Sequence, residues 1–169
     1  MSREWLKNHY GNNSVPINNN LINSTIVAMA ISDIPEVLAL ESSAHSHPWS
    51  EKLFLSNFGK RYINHVLIIE NTIVGYFIAS YVAGEVTLLN IVIAPDHQGV
   101  GLGQQLLTYL ASFSKNLQQE EIWLEVRVSN QSAIALYKKL NFVEVDVRPA
   151  YYPTVNGRED AIVMCCYLS

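Results

Sequence analysis

A glycine-rich segment, Gln98–Gly103, has the residue types that most clearly suggest a binding site in this 169-residue sequence. An apolar run that predicts a strand precedes it, and leucines at three- and four-residue spacing predict a helix after it. The first N–H groups of a helix lack partners within the helix and lie at the positive end of its dipole. Glycines let phosphate oxygens approach such a backbone without a Cβ in the way. We therefore expect an anion site at this turn, suited to phosphate oxygens.

Two familiar phosphate-binding motifs do not fit this turn. A Walker loop needs Lys and then Ser or Thr after its second conserved glycine, whereas Gln104 and Gln105 follow Gly103. The dinucleotide fingerprint is G-x-G-x-x-G, and the spacing here is G-x-G-x-G. The segment therefore indicates neither nucleotide hydrolysis nor hydride transfer. A loop that only packs a helix tightly against a strand is the structural alternative.

Glu125 and Tyr137 are the candidate acid–base residues. Glu125 lies in a predicted strand, Glu121–Val128, where it shares a face with Arg127. A carboxylate in the middle of a strand is costly unless it faces a cleft or a partner, so it is either a general base or a surface partner of Arg127. Tyr137 lies in a predicted helix, where the residues alone favour an ordinary packed tyrosine.

The elements that must position these residues alternate from Ser24 onward. Predicted strands are Ser24–Ala30, His65–Glu70, Ile73–Val82, Glu85–Ile93, Glu121–Val128, Phe142–Arg148 and Ala161–Leu168. Predicted helices are one that begins near Asp33 and Glu36, Trp49–Gly59 with Ser50 as its N-cap and Gly59 as its end, Gly101–Lys115 and Gln131–Leu140. Tyr151–Pro153 then falls in a polar loop between the last two strands. This order predicts an α/β fold with a mixed sheet and helices on its faces.

The first 23 residues differ from the rest of the chain. They contain repeated asparagines and no sustained periodicity, which predicts an N-terminal arm outside a single domain at 24–169. Trp5, Leu6 and Tyr10 could anchor this arm to the domain or to a second chain, so it offers a route to an oligomer.

Composition excludes several classes of function. The net charge of −4, without a basic patch, disfavours direct nucleic-acid binding, and no apolar run reaches the length of a membrane span. Cys165 and Cys166 are adjacent, which on a strand predicts no disulfide and suits a reducing cytoplasm. The histidines lack metal-ligand spacing, so we expect no metal.

Two motifs resemble the GCN5-related N-acetyltransferase (GNAT) superfamily. One is the Gln-x-x-Gly-x-Gly pattern of Gln98–Gly103 after a strand that ends in an apolar-x-Pro sequence. The other is Asn-x-x-Ala-x-x-Leu-Tyr at Asn130–Tyr137, followed by Leu140–Phe142. The family usually has glycine where Asn141 stands, and Asn is the next most tolerant residue for a left-handed helix end. The resemblance implies one domain with a mostly antiparallel sheet of about seven strands.

Other segments narrow the resemblance to bacterial ribosomal-protein-alanine N-acetyltransferases of the RimI type. They are His47–Glu51, Trp123–Arg127, Tyr151–Pro153 and Gly157–Ala161. The similarity extends from about Ser24 to Leu168 and leaves the N-terminal arm unexplained.

This resemblance implies acetyl-CoA as cosubstrate and the N-terminal alanine of a ribosomal protein as acceptor. It implies Glu125 as the general base and Tyr137 as the proton donor. Trp49 is either a core or a groove aromatic and Tyr152 either structural or substrate-lining, and both are the candidate peptide contacts. The implied cofactor-binding residues are Ile91, Val92, Ile93, Gly99, Val100, Gly101, Leu102, Gly103, Gln104 and Asn130. A basic N-terminal peptide suits the acidic chain.

Proton transfer from Tyr137 to the leaving thiolate is uphill by about 1.5 pKa units, or ~2 kcal/mol, because a thiol has a pKa near 8.5 and a tyrosine near 10. We therefore expect Tyr137 to act mainly as a hydrogen-bond donor to the thiolate.

Two other functions remain open from the sequence. The acceptor could be a lysine, a polyamine or an antibiotic amine, since fold alone does not select it. A catalytically silent CoA-binding module is a third hypothesis, against which the presence of both Glu125 and Tyr137 argues.

Overall fold

The computed structural model describes residues 15–19 and 22–168. The proposed anchors Trp5, Leu6 and Tyr10 lie outside these residues. In chain order the elements are β1 (Val15–Asn19), β2 (Ile22–Ala28), α1 (Ile34–Ala44), α2 (Glu51–Ser56), β3 (Tyr62–Ile69), β4 (Thr72–Val82), β5 (Glu85–Ile93), α3 (Leu102–Asn116), β6 (Glu121–Arg127), α4 (Gln131–Lys139), β7 (Val143–Thr154) and β8 (Gly157–Tyr167). None of the helices in this part of the chain has both the length and the apolar character needed to cross a membrane.

The strands form a mixed sheet in the order β1-β2-β3-β4-β5-β6-β8-β7. Strands β5 and β6 pair in parallel, whereas β1–β2, β2–β3, β6–β8 and β7–β8 pair antiparallel. The predicted seven-stranded α/β fold is confirmed, since β2 to β8 correspond to the seven predicted strands. Strand β1 lies within the stretch predicted as an arm and pairs with β2 over Val15–Asn19.

The described chain divides into two compact units. One unit contains the residues up to Ile78 together with Asn90–Leu106, and the other contains Ala79–Leu89 and the residues from Leu107 onward. The core of the first unit is a buried apolar cluster formed by Met29, Ile34, Val37, Leu40, Phe54, Val66, Ile73, Tyr76, Ile78 and Val92. In the second unit the buried residues include Leu110, Ile122, Leu124, Ile134, Phe142 and Met164.

The predicted N-cap of the second helix is confirmed, whereas its predicted end is wrong. Ser50 is the N-cap of α2, and its Oγ accepts a hydrogen bond of 3.3 Å from the Leu53 N–H, so this prediction is confirmed. The prediction that Gly59 ends the helix is wrong, because α2 ends at Ser56. Asn57 follows it, and its side-chain amide donates to the Leu53 carbonyl at 2.7 Å, which satisfies a carbonyl at the helix end.

The segment around Tyr151 is part of a strand, so the predicted loop is wrong. Strand β7 continues through Tyr151–Pro153 to Thr154, and β8 begins at Gly157, so both strands are longer than predicted. Tyr152 is paired with Glu159 across the hairpin, and two register shifts interrupt the ladder. The prolines and the glycine near the tip of the β7–β8 hairpin are typical of loops. An edge strand nevertheless tolerates proline, and register shifts in the ladder accommodate the extra residues.

Candidate active site

The glycine turn of the first unit has a backbone that favours glycine. Gly99 and Gly101 have φ angles of 78° and 91°, a region that side chains with a Cβ rarely occupy. A Cβ at either position would meet no atom within 4 Å, so conformation and not crowding within the chain explains these glycines. The turn is tied to the end of β5 because Gln98 Nε2 donates to the Ile93 carbonyl at 2.9 Å.

The last two residues of the turn, Leu102 and Gly103, are the first two of α3, as the predicted anion site requires. The Gln105 N–H donates to the Gly101 carbonyl at 3.1 Å, so the N–H groups of Leu102, Gly103 and Gln104 have no carbonyl within the helix. Val100 has 57% of its surface exposed, whereas the Leu102 side chain is buried and offers only its backbone. These three N–H groups are suited to bind an anion, and all three belong to predicted cofactor-binding residues.

The end of β5, just before the turn, has buried side chains, so its main-chain groups are the ones available to a ligand. Val92 and Ile93 are buried, and the Ala94 N–H donates to the Val74 carbonyl at 2.8 Å. Gly75 permits this approach, because a Cβ there would lie 2.6 Å from Ile93 Cδ1 and 2.9 Å from the Val92 carbonyl oxygen. The predicted role of Ile91, Val92 and Ile93 therefore rests on main-chain groups.

Glu125 lies on β6 in the second unit, on the half-buried face that its strand alternation predicts. Its Oε1 is 2.5 Å from the Arg148 guanidinium, and its side chain is 24% exposed. Its main-chain carbonyl accepts a hydrogen bond of 3.1 Å from the Tyr152 hydroxyl. The alternative of a Glu125–Arg127 pair is wrong, since Arg127 contacts Glu159 at 2.7 Å.

The tyrosines of β7 lie beside this carboxylate. Burial, followed by the negative charge of Glu125, raises the pKa of Tyr152 to about 12. A hydrogen bond with Glu125 is the main reason that the pKa of Tyr151 is also raised. The Arg127 guanidinium lies over the Tyr152 ring at 4.5 Å from its centroid. Tyr152 is therefore held in place beside the candidate base rather than lying in a free loop.

Internal partners hold the neighbouring acidic residues of β8. Glu159 Oε2 accepts a hydrogen bond from the Ser129 N–H at 3.3 Å, in addition to its contact with Arg127. Asp160 Oδ1 accepts one from the Ala150 N–H at 2.8 Å. Both carboxylates are therefore engaged by partners within the second unit.

Tyr137 is a buried residue of α4, with its ring 5.6 Å from that of Phe142. Burial, followed by the nearby Tyr152, raises the pKa of Tyr137 above its ordinary value. The hydroxyl therefore stays protonated at neutral pH, which suits a hydrogen-bond donor and opposes full release of the proton.

Asn130 and Asn141 bracket this helix. Asn130 is the N-cap of α4, and its Oδ1 accepts from the Ala133 N–H at 3.2 Å. Asn141 has a φ of 66°, which confirms the left-handed helix end expected of an Asn in place of glycine. A contact between Asn130 and the cofactor stays a prediction.

Trp49 lies in the first unit and introduces a group that sequence reasoning missed. Its ring is half-buried and packs edge-to-face with that of Phe54, with the ring centroids 5.5 Å apart at an interplanar angle of 61°. Its backbone N–H donates to the fully buried Glu41 at 2.9 Å. Helix periodicity places Glu41 one turn after Val37, on the buried face, and a charged residue at such a position is the signal that could have found it.

The other predicted features concern metals and thiols. No group of three metal-ligating side chains occurs among the residues that the structure describes. Cys165 and Cys166 are free, with Cys165 buried. Burial and the nearby Glu121 raise the pKa of Cys165 to about 11, so that thiol is not a nucleophile at neutral pH.

Comparison with known proteins decides the family. The profile of the acetyltransferase (GNAT) family matches residues 32–142. The chain belongs to this family. The acetyltransferase is 44% identical, over 146 residues, to "[Ribosomal protein bS18]-alanine N-acetyltransferase" of Escherichia coli, a match that covers 86% of this chain and 99% of the relative. It has the same identity and coverage with the enzyme of that name from Haemophilus influenzae.

A solved structure confirms the fold of the acetyltransferase. The crystal structure of the ribosomal-protein-S18-alanine N-acetyltransferase from Escherichia coli superposes with a TM-score of 0.84. That match covers 86% of this chain and 94% of the crystal chain at 44% identity. The chain is therefore an acyltransferase with the GNAT fold.

Proposed function

We propose that this acetyltransferase transfers the acetyl group of acetyl-CoA to the N-terminal alanine amine of ribosomal protein bS18. One observation carries the acceptor assignment. The chain is 44% identical to the "[Ribosomal protein bS18]-alanine N-acetyltransferase" of Escherichia coli, and the match covers 99% of that relative. A net charge of −4 suits a basic N-terminal peptide. A ribosomal acceptor also implies action in the cytoplasm.

The main chain of the first unit holds the acetyl-CoA in this proposal. The N–H groups of Leu102, Gly103 and Gln104 bind the pyrophosphate, because they lack helical acceptors and lie at a positive helix end. Gly99 and Gly101 shape the turn through their positive φ angles. Backbone groups of the strand that ends at Ile93 contact the pantetheine and acetyl groups.

Glu125 accepts the proton of the attacking amine. An α-amino group has a pKa of about 7.7–8.0 and is mostly protonated at neutral pH, so a base must remove a proton before or during attack. The amine nitrogen then bonds to the carbonyl carbon and the carbon–sulfur bond breaks, with no covalent enzyme intermediate. Arg148 fixes the direction of the Glu125 carboxylate, which it contacts at 2.5 Å.

Tyr137 stabilises the thiolate by donating a hydrogen bond. Its raised pKa makes proton transfer to the sulfur even less favourable than for an ordinary tyrosine, so the thiolate takes its proton from solvent. The hydrogen bond to a developing charge is worth about 1.5–3 kcal/mol.

The experiment compares acetyl transfer by Glu125→Gln and Tyr137→Phe with the wild type. We expect kcat to fall about 10²–10⁴-fold for Glu125→Gln, the usual contribution of a general base. Tyr137→Phe should lower kcat about 10–100-fold, which is the hydrogen-bond energy above expressed as a rate. Calorimetric affinity for acetyl-CoA should stay unchanged in both.

Two matched variants control for general damage. Glu121→Gln changes a carboxylate on the same face of β6, and Tyr109→Phe changes another buried tyrosine. Both should retain wild-type turnover. Unchanged turnover in Glu125→Gln and Tyr137→Phe would refute the assigned roles.

An acceptor panel separates the three hypotheses. We expect a peptide with a free N-terminal alanine to be acetylated, and its N-terminally blocked form to be inert. Preferred turnover of a polyamine or a lysine side chain would identify another acceptor class. Binding of acetyl-CoA with no transfer to any amine would identify a silent module.

A further inference from the structure

A buried carboxylate in the first unit has no part in the proposed chemistry. Glu41, near the end of α1, has no exposed surface. Its Oε2 accepts hydrogen bonds from the Tyr76 hydroxyl at 2.5 Å, from His45 Nδ1 at 2.8 Å and from Asn90 Nδ2 at 3.4 Å. Its Oε1 accepts from the Trp49 N–H at 2.9 Å. We call these five residues the Glu41 network.

The donors around Glu41 make an ionised buried carboxylate tolerable. Burial alone raises the pKa of a carboxyl group, but the hydrogen bonds from His45, Tyr76 and the Trp49 N–H outweigh it, and the pKa of Glu41 is lowered. Burial and the charge of Glu41 raise the pKa of Tyr76, so that its hydroxyl remains a donor. The carboxylate is thus a charged anchor at neutral pH.

The anchor holds the segment that leads into α2. The backbone of Trp49 is held by the Glu41 carboxylate, and its ring is held by Phe54, whose centroid is in turn 5.7 Å from that of Tyr76. His45, at the start of the same segment, contacts the second carboxylate oxygen. Both ends of the segment therefore depend on one side chain.

The network also reaches the strand that precedes the glycine turn. Asn90 donates to the Tyr76 hydroxyl at 3.1 Å as well as to Glu41. It directly precedes Ile91, the first of the predicted cofactor-contacting residues of β5. Tyr76 belongs to β4 and Glu41 to α1, so the network joins three elements of the unit around the Trp49 segment.

We propose that Glu41 is a positioning residue for the peptide acceptor, acting through the Trp49 N–H to fix the His45–Trp49 segment against which the peptide binds. The proposal deepens the proposed function, because it takes Trp49 as the predicted peptide contact. Glu41 is too deeply buried to touch the peptide itself.

The test is the kinetics of Glu41→Gln, which keeps the shape of the side chain. A glutamine amide has one oxygen and one NH₂ group, so it cannot accept from Trp49 and also from Tyr76 and His45. We expect the KM for an N-terminal alanine peptide to rise about tenfold. The KM for acetyl-CoA should stay within twofold, because Asn90 keeps its 3.1 Å hydrogen bond to the Tyr76 hydroxyl and the glycine turn is not part of the network.

Two further variants separate positioning from loss of stability. Glu36 lies on the same helix, and its Oε1 accepts a 2.8 Å hydrogen bond from the Ile73 N–H, outside the network. Glu36→Gln weakens this bond. Val37→Ala removes buried methyl groups from the same helix and takes away no hydrogen bond of the network. Both should lower thermal stability while changing the peptide KM less than threefold. A rise in peptide KM shared equally by all three variants would overturn the proposal.

A measurement on the wild-type protein does not depend on whether Glu41→Gln folds. In ¹H–¹⁵N spectra, addition of the alanine peptide should shift the Trp49 backbone amide, whose hydrogen bond to Glu41 slows its exchange with solvent. An unperturbed Trp49 amide at saturating peptide would overturn the proposal. If the wild type does not acetylate the alanine peptide, the proposed function itself fails. If the wild type acetylates the peptide and Glu41→Gln has the same peptide KM as the wild type, only the positioning role of Glu41 fails.

Discussion

Gly75→Ala is the substitution for which the structure of the first unit makes the sharpest prediction. Gly75 is buried in β4, next to Tyr76. A Cβ at this position would lie 2.6 Å from Ile93 Cδ1 and 2.9 Å from the Val92 carbonyl oxygen. The Ile93 side chain can rotate away, but the Val92 carbonyl is main chain and can move only with the strand.

The size of the effect follows from these distances. Ordinary contact begins near 3.4 Å, so the backbone at Val92 must move by about 0.5 Å. Overpacking of this kind costs about 1–3 kcal/mol of folding free energy. Misplacement of reacting groups by about 1 Å costs about 100-fold in rate, so half that shift should lower kcat/KM about tenfold.

The assay measures stability and turnover together, with Val66→Ala as the control. Val66 is fully buried on β3, and loss of its methyl groups should cost a similar free energy of unfolding without crowding β5. Both variants should lose about 2–4 °C in Tm for each kcal/mol, but only Gly75→Ala should lose about tenfold in kcat/KM. Equal activity of the two variants at equal stability would refute the reasoning that β5 main-chain geometry sets the rate.

Two predictions concern stability. Burial lowers the pKa of His65 to about 3, so between about pH 6.5 and 3 the unfolded chain binds a proton that the folded chain does not, and the free energy of unfolding falls as the pH falls, by up to about 1.4 kcal/mol per pH unit. His65→Leu should flatten this slope in urea titrations at pH 7, 6 and 5, and a slope equal to that of the wild type would contradict the assignment. Asn141→Ala should cost about 1–2 kcal/mol because φ is 66°, whereas Asn141→Gly should cost little; equal melting temperatures for the two variants would be inconsistent with backbone strain there.

Features set by neighbouring residues could be predicted from the sequence. The positive φ angles of Gly99 and Gly101 follow from local backbone sterics, as does the left-handed Asn141. Alternation along β6 correctly placed Glu125 and Arg127 on one face of the strand, because that pattern depends only on the strand period.

Features set by pairing across the chain could not be predicted in the same way. The partner of Glu125 is Arg148, 23 positions away on β7, and nothing in the local sequence selects it over Arg127. The strand conformation of Tyr151–Pro153 depends on two register shifts against β8 and on Arg158, which donates to the carbonyls of Ala150 and Tyr151. Such contacts exist only once the strands are paired, so local propensity pointed to a loop.

The buried Glu41 illustrates the same limit for an ionisable group. A helical carboxylate is ordinarily a surface residue, and its position on the apolar face was the sole local sign that it is buried. Its four donors come from separate parts of the sequence, between His45 and Asn90.

The most direct test of the account is the site of acetylation on full-length, unacetylated ribosomal protein bS18. The protein is incubated with the wild-type enzyme and acetyl-CoA, and the modified residue is located by tandem mass spectrometry, with Glu125→Gln in parallel. We expect one acetyl group on the α-amine of the N-terminal alanine, formed far more slowly by the variant. Acetylation confined to lysine side chains, or an unmodified bS18 under conditions in which the enzyme acetylates a small amine, would contradict it.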